Sequence, residues 1–256
     1  MRVGVRANHA DALAQLLPHL PPGWKASRNS AVERLFSLIV GGASRAERGV
    51  SRFNLLYEDH VRMARARDLG EVLDIMESRL RLFVAERARR RIFIHAGVVG
   101  WRGRAILVPG RSMSGKSTLI AEFVRAGATY YSDEFAVLDE RGRVHPFAKP
   151  LSLRREGETR QENFGVEELG GRAGTKPLPV GLVLSTEYAL GARWRPKVLS
   201  PGQGALALLR HVVAARTEPA MALAYLERVV ASAPVLMGRR GEALDFARKI
   251  LAESLF

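Results

Sequence analysis

Residues 105–126 read AILVPGRSMSGKSTLIAEFVRA, and this stretch decides the fold. Four apolar residues, Ala105 to Val108, lead directly into a glycine-containing segment, as is typical of a short buried strand. The residues from Lys116 onward form an amphipathic helical pattern, and Gly127 follows it as a residue that commonly ends helices. The stretch therefore predicts a strand, a loop and a helix in direct succession.

The loop itself matches the Walker A pattern, in which two glycines enclose four residues and Lys-Ser follows. The backbone N–H groups of such a loop surround an anion, and the start of the helix adds its positive dipole end. The lysine contacts the β- and γ-phosphates, and the serine hydroxyl coordinates Mg²⁺. A glycine-rich turn that matches by chance is the alternative. The predicted nucleotide-binding residues are Gly110, Arg111, Ser112, Met113, Ser114, Gly115, Lys116, Ser117 and Thr118.

A second candidate element is the acidic pair Asp133-Glu134, which follows the predicted strand Thr129 to Tyr131. Two adjacent carboxylates are unfavourable unless a cation lies nearby, and a phosphate-bound Mg²⁺ would supply that cation. One carboxylate would hold the metal, and the other would orient or deprotonate an attacking hydroxyl. The sequence does not determine which carboxylate is the metal ligand and which is the base. An acidic surface turn is the alternative.

From His95 to Glu134 the chain resembles the catalytic domain of HPr kinase/phosphorylase, whose motifs are a His-Gly-Val-Leu strand, a Walker A loop, an Arg-Gly pair and an Asp-Asp pair. The histidine, Lys116, Gly127 and the acidic pair keep the family's spacing without a gap. Met113, Ser114 and Glu134 differ from the family pattern. The family's later segment, associated with phosphorolysis, has no clear counterpart after Leu151, and the first 90 residues do not resemble the family's N-terminal domain.

The resemblance implies an α/β fold: a P-loop nucleotide domain with a mixed sheet of the HPr kinase and phosphoenolpyruvate carboxykinase type. It implies ATP and Mg²⁺ as cofactors, and an acceptor hydroxyl on a peptide, a protein or a small molecule, with serine favoured. It also makes His95 a site candidate, although a lone histidine in an apolar strand is often a core residue. The implied catalytic residues are His95, Lys116, Asp133 and Glu134, and the implied metal ligands are Ser117, Asp133 and Glu134.

Two regions are predicted along the chain. Residues 1–90 would form a small α+β recognition region, in which 53–57 and 61–66 pair as a hairpin. Residues 91–256 would form the nucleotide domain with a helical C-terminal end, and 156–179 would be a long loop or lid. Arg154 and Arg155 are open between a phosphate clamp and surface residues, whereas His145, Lys149 and Arg160 are interpreted as structural.

Composition limits the partners. The formal net charge is +14, but the basic residues are spread along the chain without a basic arm, so we expect no nucleic acid partner. There are no cysteines, no apolar signal region at the start and no apolar run of the roughly 20 residues that a membrane span requires. We expect a cytoplasmic protein with no membrane partner. The family resemblance makes a homo-oligomer plausible.

Three functions compete. The first is a kinase that transfers the γ-phosphoryl group of ATP to a hydroxyl. The second is a nucleotide-binding regulator or scaffold with little catalysis. The third is an ATPase that drives motion, against which the chain lacks an arginine-finger motif, a sensor segment and any repeat that suggests ring assembly.

Overall fold

The chain divides into two units, Met1–Arg87 and Ala88–Phe256. The computed structural model describes residues 1–21, 24–41, 52–110, 114–154 and 161–253. Within those ranges no helix combines the length and the apolar character that crossing a membrane requires.

In its described residues, the first unit consists of a four-stranded sheet and two helices. Its elements are β1 (Val3–Ala7), α1 (Ala10–Leu16) with a 3-10 turn at Leu17–His19, β2 (Arg34–Ile39), β3 (Asn54–Glu58), β4 (Val61–Ala66) and α2 (Leu69–Arg87). The sheet order is β1-β2-β3-β4, with β1 and β2 parallel and the other pairs antiparallel. The predicted hairpin is therefore present, whereas β2 was not predicted. Sheet and helix share one core, which includes Phe36, Leu38, Leu56, Met76 and Leu80.

The second unit carries the Walker A segment. Its elements are β5 (Arg91–Trp101), β6 (Arg104–Pro109), α3 (Lys116–Arg125), β7 (Thr129–Ser132), β8 (Phe135–Asp139), β9 (Arg143–His145), β10 (Leu151–Arg154), β11 (Gln161–Phe164), β12 (Leu178–Tyr188), β13 (Lys197–Val198), α4 (Pro201–Leu209), α5 (Pro219–Ser232), β14 (Val235–Arg240) and α6 (Ala243–Ala252). Short 3-10 turns lie at Val166–Leu169 and Val213–Arg216.

Eight of these strands form one mixed sheet, as predicted. The order is β13-β14-β12-β6-β5-β8-β9, and β7 pairs with β5 beside β8. Strands β6, β12 and β14 are parallel, whereas β5 is antiparallel to β6, β7 and β8. The loop that follows β6 therefore leaves the middle of the sheet, with parallel strands on one side and antiparallel strands on the other.

Helices cover both faces of this sheet, which explains the uninterrupted apolar run in β6. Ala105 and Leu107 face the core that α4 and α5 complete, and Ile106 and Val108 face the core of α3 and α6. Helix α3 lies so close to β5 that a methyl group at Gly97 would come within 2.4 Å of Ile120 Cγ1. Glycine is therefore required at that point of β5.

Two predictions for this unit need correction. The segment 156–179 is not one long loop, because it contains β11, which pairs antiparallel with β10, and the 3-10 turn at Val166–Leu169. Residues 155–160 lie outside the described residues. The C-terminal part has the helices α4, α5 and α6, but it also supplies the strand β14 to the sheet. This strand was missed because its sequence VLMGRR includes a glycine and two arginines.

Candidate active site

The Walker A segment forms the connection between β6 and α3, as the sequence predicts. Gly115 is the residue before the first turn of α3, and its φ of 77° is in the left-handed region that favours glycine. The helix that follows has ten residues, so its first N–H groups and its positive dipole end point toward the loop. Arg111, Ser112 and Met113 lie outside the described residues.

The two ends of the loop lie close together. A Cβ atom on Gly110 would be 2.8 Å from Ser114 Oγ and 3.3 Å from Lys116 Cδ, so the lysine side chain passes directly over the end of β6. Burial lowers the pKa of the Lys116 ammonium, whereas the charges of Asp133 and Glu134 oppose that shift. Lys116 is therefore a partly desolvated cation beside the predicted acidic pair. Negative phosphate oxygens would stabilise it further.

Ser117 and Asp133 contact each other directly, although they belong to different elements. The Ser117 hydroxyl donates a hydrogen bond to Asp133 Oδ2 at 3.1 Å. Asp133 is only 5% exposed, and it also accepts hydrogen bonds from the Ser152 backbone N–H at 3.3 Å and from the Tyr130 hydroxyl at 3.2 Å. These partners fix the carboxylate so that it faces the first turn of α3.

The oxygen atoms of this pair fit a Mg²⁺ ion. A hydroxyl and a carboxylate are hard oxygen ligands, which Mg²⁺ prefers, and the ion usually keeps several waters besides one or two protein ligands. The site offers one neutral and one charged ligand next to the predicted phosphate-binding segment. Of the predicted metal ligands, the structure brings Ser117 and Asp133 together, and Glu134 directs its carboxylate toward Lys149.

Glu134 lies in the turn between β7 and β8, which Ser132 stabilises. The Ser132 hydroxyl accepts hydrogen bonds from the backbone N–H groups of Glu134 and Phe135, at 3.1 and 3.0 Å. Lys149 Nζ is 3.3 Å from Glu134 Oε2 and 4.0 Å from Asp133 Oδ1. The sequence indicates only a structural role for Lys149, but the structure places it against both acidic residues. Its half-buried ammonium supplies part of the positive charge that the pair needs.

His95 lies near the point where β5 changes neighbours. Its backbone N–H donates to the carbonyl of His211 at 2.8 Å, and its half-buried ring lies 4.8 Å from the ring of Phe135. Burial and then the charge of Lys116 lower the pKa of its imidazole, and Glu134 acts in the opposite direction. The ring is therefore mainly neutral near pH 7, because the ordinary histidine pKa is already about 6.5.

The sheet pairing explains why these residues meet. Strand β5 pairs with β8 from Arg91 to His95 and with β7 from Val98 to Gly100. The acidic turn that joins β7 to β8 therefore lies beside β5 at the same level as the end of β6. Ala96 N–H donates to the Glu134 carbonyl at 3.1 Å, and Gly110 N–H donates to the His95 carbonyl at 3.2 Å.

Tyr130 belongs to the site but was not predicted. Tyr130 donates to Asp133, and its hydroxyl also lies 2.9 Å from the carbonyl of Lys149. Burial raises the pKa of this phenol, and Asp133 raises it further, so the hydroxyl keeps its proton. Tyr130 lies on β7, three positions before the aspartate of the following turn, and only the fold shows that its hydroxyl reaches the carboxylate.

The remaining arginine and histidine candidates lie away from the acidic pair or outside the described residues. His145 Nε2 lies 2.9 Å from Asp139 Oδ2, so its ring pairs with a carboxylate outside the acidic pair. This agrees with a structural role. Arg155 and Arg160 lie outside the described residues, as does the side chain of Arg154. The phosphate clamp therefore stays a prediction.

No protein-family profile matches the chain, and no curated protein matches it. Among solved structures, the HPr(Ser) kinase/phosphatase of Coxiella burnetii is similar at 14% sequence identity. The alignment covers 62% of this chain and 93% of that chain, with a TM-score of 0.36. The similarity is distant, so the function proposed for this chain depends on the geometry of its own site.

Proposed function

We propose that the chain is an ATP- and Mg²⁺-dependent kinase that transfers the γ-phosphoryl group to a hydroxyl, with a serine of a peptide or protein as the favoured acceptor. The observation that supports it is the hydrogen bond of 3.1 Å between Ser117 and Asp133. It joins the hydroxyl of Ser117 to a buried carboxylate, which is the type of ligand pair that holds phosphate-bound Mg²⁺ in P-loop proteins.

Each residue has a distinct task in this proposal. Ser117 and Asp133 would hold Mg²⁺, which neutralises charge on the phosphates when bound. Lys116, with the backbone N–H groups of the loop, would bind the β- and γ-phosphates. Because Asp133 is committed to Ser117, Glu134 is the better candidate for the base that receives the acceptor's proton.

The acceptor oxygen forms a bond to the γ-phosphorus while the bond from that phosphorus to the bridging oxygen breaks, so that ADP leaves. The hydroxyl proton passes to the Glu134 carboxylate, which Lys149 orients from 3.3 Å. His95, neutral near pH 7, would contribute a hydrogen bond to the acceptor or the γ-phosphate.

The test is phosphoryl transfer from γ-labelled ATP with Mg²⁺, using purified protein against a host lysate and a panel of serine peptides. Lys116→Ala should abolish the labelling, and Lys197→Ala, which alters an exposed lysine of β13, should not. Label in one acceptor, lost only with Lys116, would support the kinase. Tight ATP binding with no label in any acceptor would instead favour a nucleotide-binding regulator or scaffold.

A further inference from the structure

A cavity of about 530 Å³ opens beside the phosphate loop, on the side away from Asp133. It lies at the carboxyl ends of the three parallel strands β6, β12 and β14, which is where open α/β sheets generally bind ligands. Its volume is within the range of small-molecule sites. The residues that line it are Ser114, Gly115, Thr118, Thr186, Glu187, Tyr188, Arg240, Glu242 and Ala243.

Arg240, at the end of β14, brings a buried positive charge to this cavity. The residue is 3% exposed, and its guanidinium donates to the Gly115 carbonyl at 3.3 Å and to the Gly241 carbonyl at 3.0 Å. Its Nε has no hydrogen-bond partner among the described residues, and no described carboxylate forms an ion pair with it. Burial lowers the pKa of this guanidinium, whereas the charge of Glu242 opposes that shift. Because its hydrogen bonds go only to neutral carbonyls, an anionic ligand beside it would stabilise the buried charge.

Tyr188 and Glu242 give the same cavity an aromatic face and a carboxylate. The Tyr188 residue is 46% exposed, and its hydroxyl donates to Glu242 Oε1 at 2.7 Å. The guanidinium carbon of Arg240 lies 5.5 Å from the centre of the tyrosine ring. An exposed ring can stack with a planar base, and a carboxylate accepts hydrogen bonds from sugar hydroxyls.

The two sides of the loop fix the direction in which a nucleotide would extend. Ser117 turns toward Asp133, on the side of β5 and β7, where the metal and the γ-phosphate would lie. Ser114, Gly115 and Thr118 line the opposite side, toward β12 and β14. The remainder of a nucleotide bound across the end of β6 would therefore enter the cavity.

We infer that this cavity is the nucleoside subsite: the base stacks on Tyr188, Glu242 accepts hydrogen bonds from the ribose, and Arg240 binds the phosphate next to the ribose. The inference rests on the proposed function, because it assumes that the loop binds the phosphates of a nucleoside triphosphate. It adds the residues that distinguish a nucleotide from a simple chain of phosphates.

The experiment compares two ligands by calorimetry in the presence of Mg²⁺: ATP and inorganic tripolyphosphate. Tyr188→Ala should weaken ATP binding about tenfold, because it removes the stacking surface, and should leave tripolyphosphate binding within about twofold. Tyr188→Phe retains the ring and should keep ATP affinity within about threefold. Leu190→Ala is the matched control, since Leu190 is 85% exposed and does not line the cavity.

Each outcome decides between the two ideas. If Tyr188→Ala weakens both ligands equally, or neither, the nucleoside subsite is wrong and the kinase proposal stands. Equal affinity of the wild-type protein for the two ligands would overturn the subsite in the same way. A wild-type protein that binds neither ligand would overturn the proposed function itself.

Discussion

Replacing Asp133 by asparagine removes the charge of the proposed metal ligand and retains its shape. The Ser152 N–H can only donate, so the asparagine oxygen must take the place of Oδ2, where it still accepts from Ser152 and Ser117. The new amide group then faces the Tyr130 hydroxyl. That hydroxyl can accept from the amide and give its own proton to the Lys149 carbonyl, 2.9 Å away. Every hydrogen bond of the carboxylate therefore has a replacement.

The cost in stability is accordingly modest. Hydrogen bonds to a charged group contribute about 1.5–3 kcal/mol and neutral ones about 0.5–1.5 kcal/mol, so exchanging three bonds at the typical difference costs about 4 kcal/mol. The variant also avoids the free-energy cost of burying a charged carboxylate, which in the wild-type protein is only 5% exposed. This offsets part of the loss. We expect a net loss of about 1–2 kcal/mol in the free energy of unfolding. For a unit of this size, that lowers Tm by about 2–8 °C.

The effect on transfer should be much larger. Charge stabilisation by a correctly held metal ion contributes several kcal/mol to the transition state, and each 1.36 kcal/mol corresponds to a factor of ten in rate. Asp133→Asn should therefore slow transfer at least about 100-fold. The assay is transfer of label from γ-labelled ATP at saturating Mg²⁺, with thermal unfolding measured on the same samples.

Asp139→Asn is the matched control, because Asp139 is a half-buried carboxylate with several hydrogen bonds, but its partners are Arg141, Arg143 and His145. It should lose comparable stability and keep the full transfer rate. Transfer by Asp133→Asn at the wild-type rate would refute the role of this carboxylate. An unfolded Asp133→Asn protein would instead show that the hydrogen-bond compensation described above is wrong.

Three further predictions concern His95, Gly97 and Asp139. Burial and Lys116 lower the pKa of His95, so its NMR titration should lie below pH 6.5 and move upward in Lys116→Ala; an unchanged titration would contradict the proximity of the two charges. A methyl group at Gly97 would meet α3 at 2.4 Å, so Gly97→Ala should cost about 1–3 kcal/mol in unfolding free energy and weaken ATP binding. Gly202→Ala, in α4 with open space around it, should be neutral or stabilising in the same measurements. Burial opposes the ionisation of Asp139, but its hydrogen bonds outweigh that effect and hold its pKa at about 2, below the value of about 3.9 in unfolded chains. Its contribution should be complete above about pH 4 and disappear toward pH 2, so urea midpoints of the wild-type protein and Asp139→Asn should converge as pH falls through that window.

The parts of the fold that local sequence determines were predictable. The strand before the phosphate loop, the helix after it and the turn at Arg102-Gly103 each carry their own signal within a few residues. The structure confirms the turn, where Arg102 and Gly103 have φ values of 46° and 77°. The mixed sheet was also predicted, but through the family resemblance and not from periodicity.

The elements that were not predicted depend on pairing between strands that are far apart in the sequence. Strand β14 has a polar C-terminal half and is stabilised by its pairing with β12 in a parallel register that no local pattern encodes. For the same reason Arg240 was not predicted as a site residue, although its guanidinium donates to the Gly115 carbonyl. The site follows the same division. Asp133 could be predicted from its position in the sequence after the loop. Lys149 and Tyr130 reach the site only when the strands assemble.

The central position of β5 has a consequence for the order in which the molecule opens. From Ala96 to Trp101 the strand is paired with β6, and from Val98 to Gly100 it also pairs with β7 on its other edge. Amides bonded in this way exchange with solvent deuterium only when the neighbouring strands separate. Native-state hydrogen exchange should therefore find that Val98 and Val99 open with the same free energy as the whole unit, while α6 and the edge strand β13 open earlier. The proposed phosphate-binding end would then belong to the last segment to lose its structure.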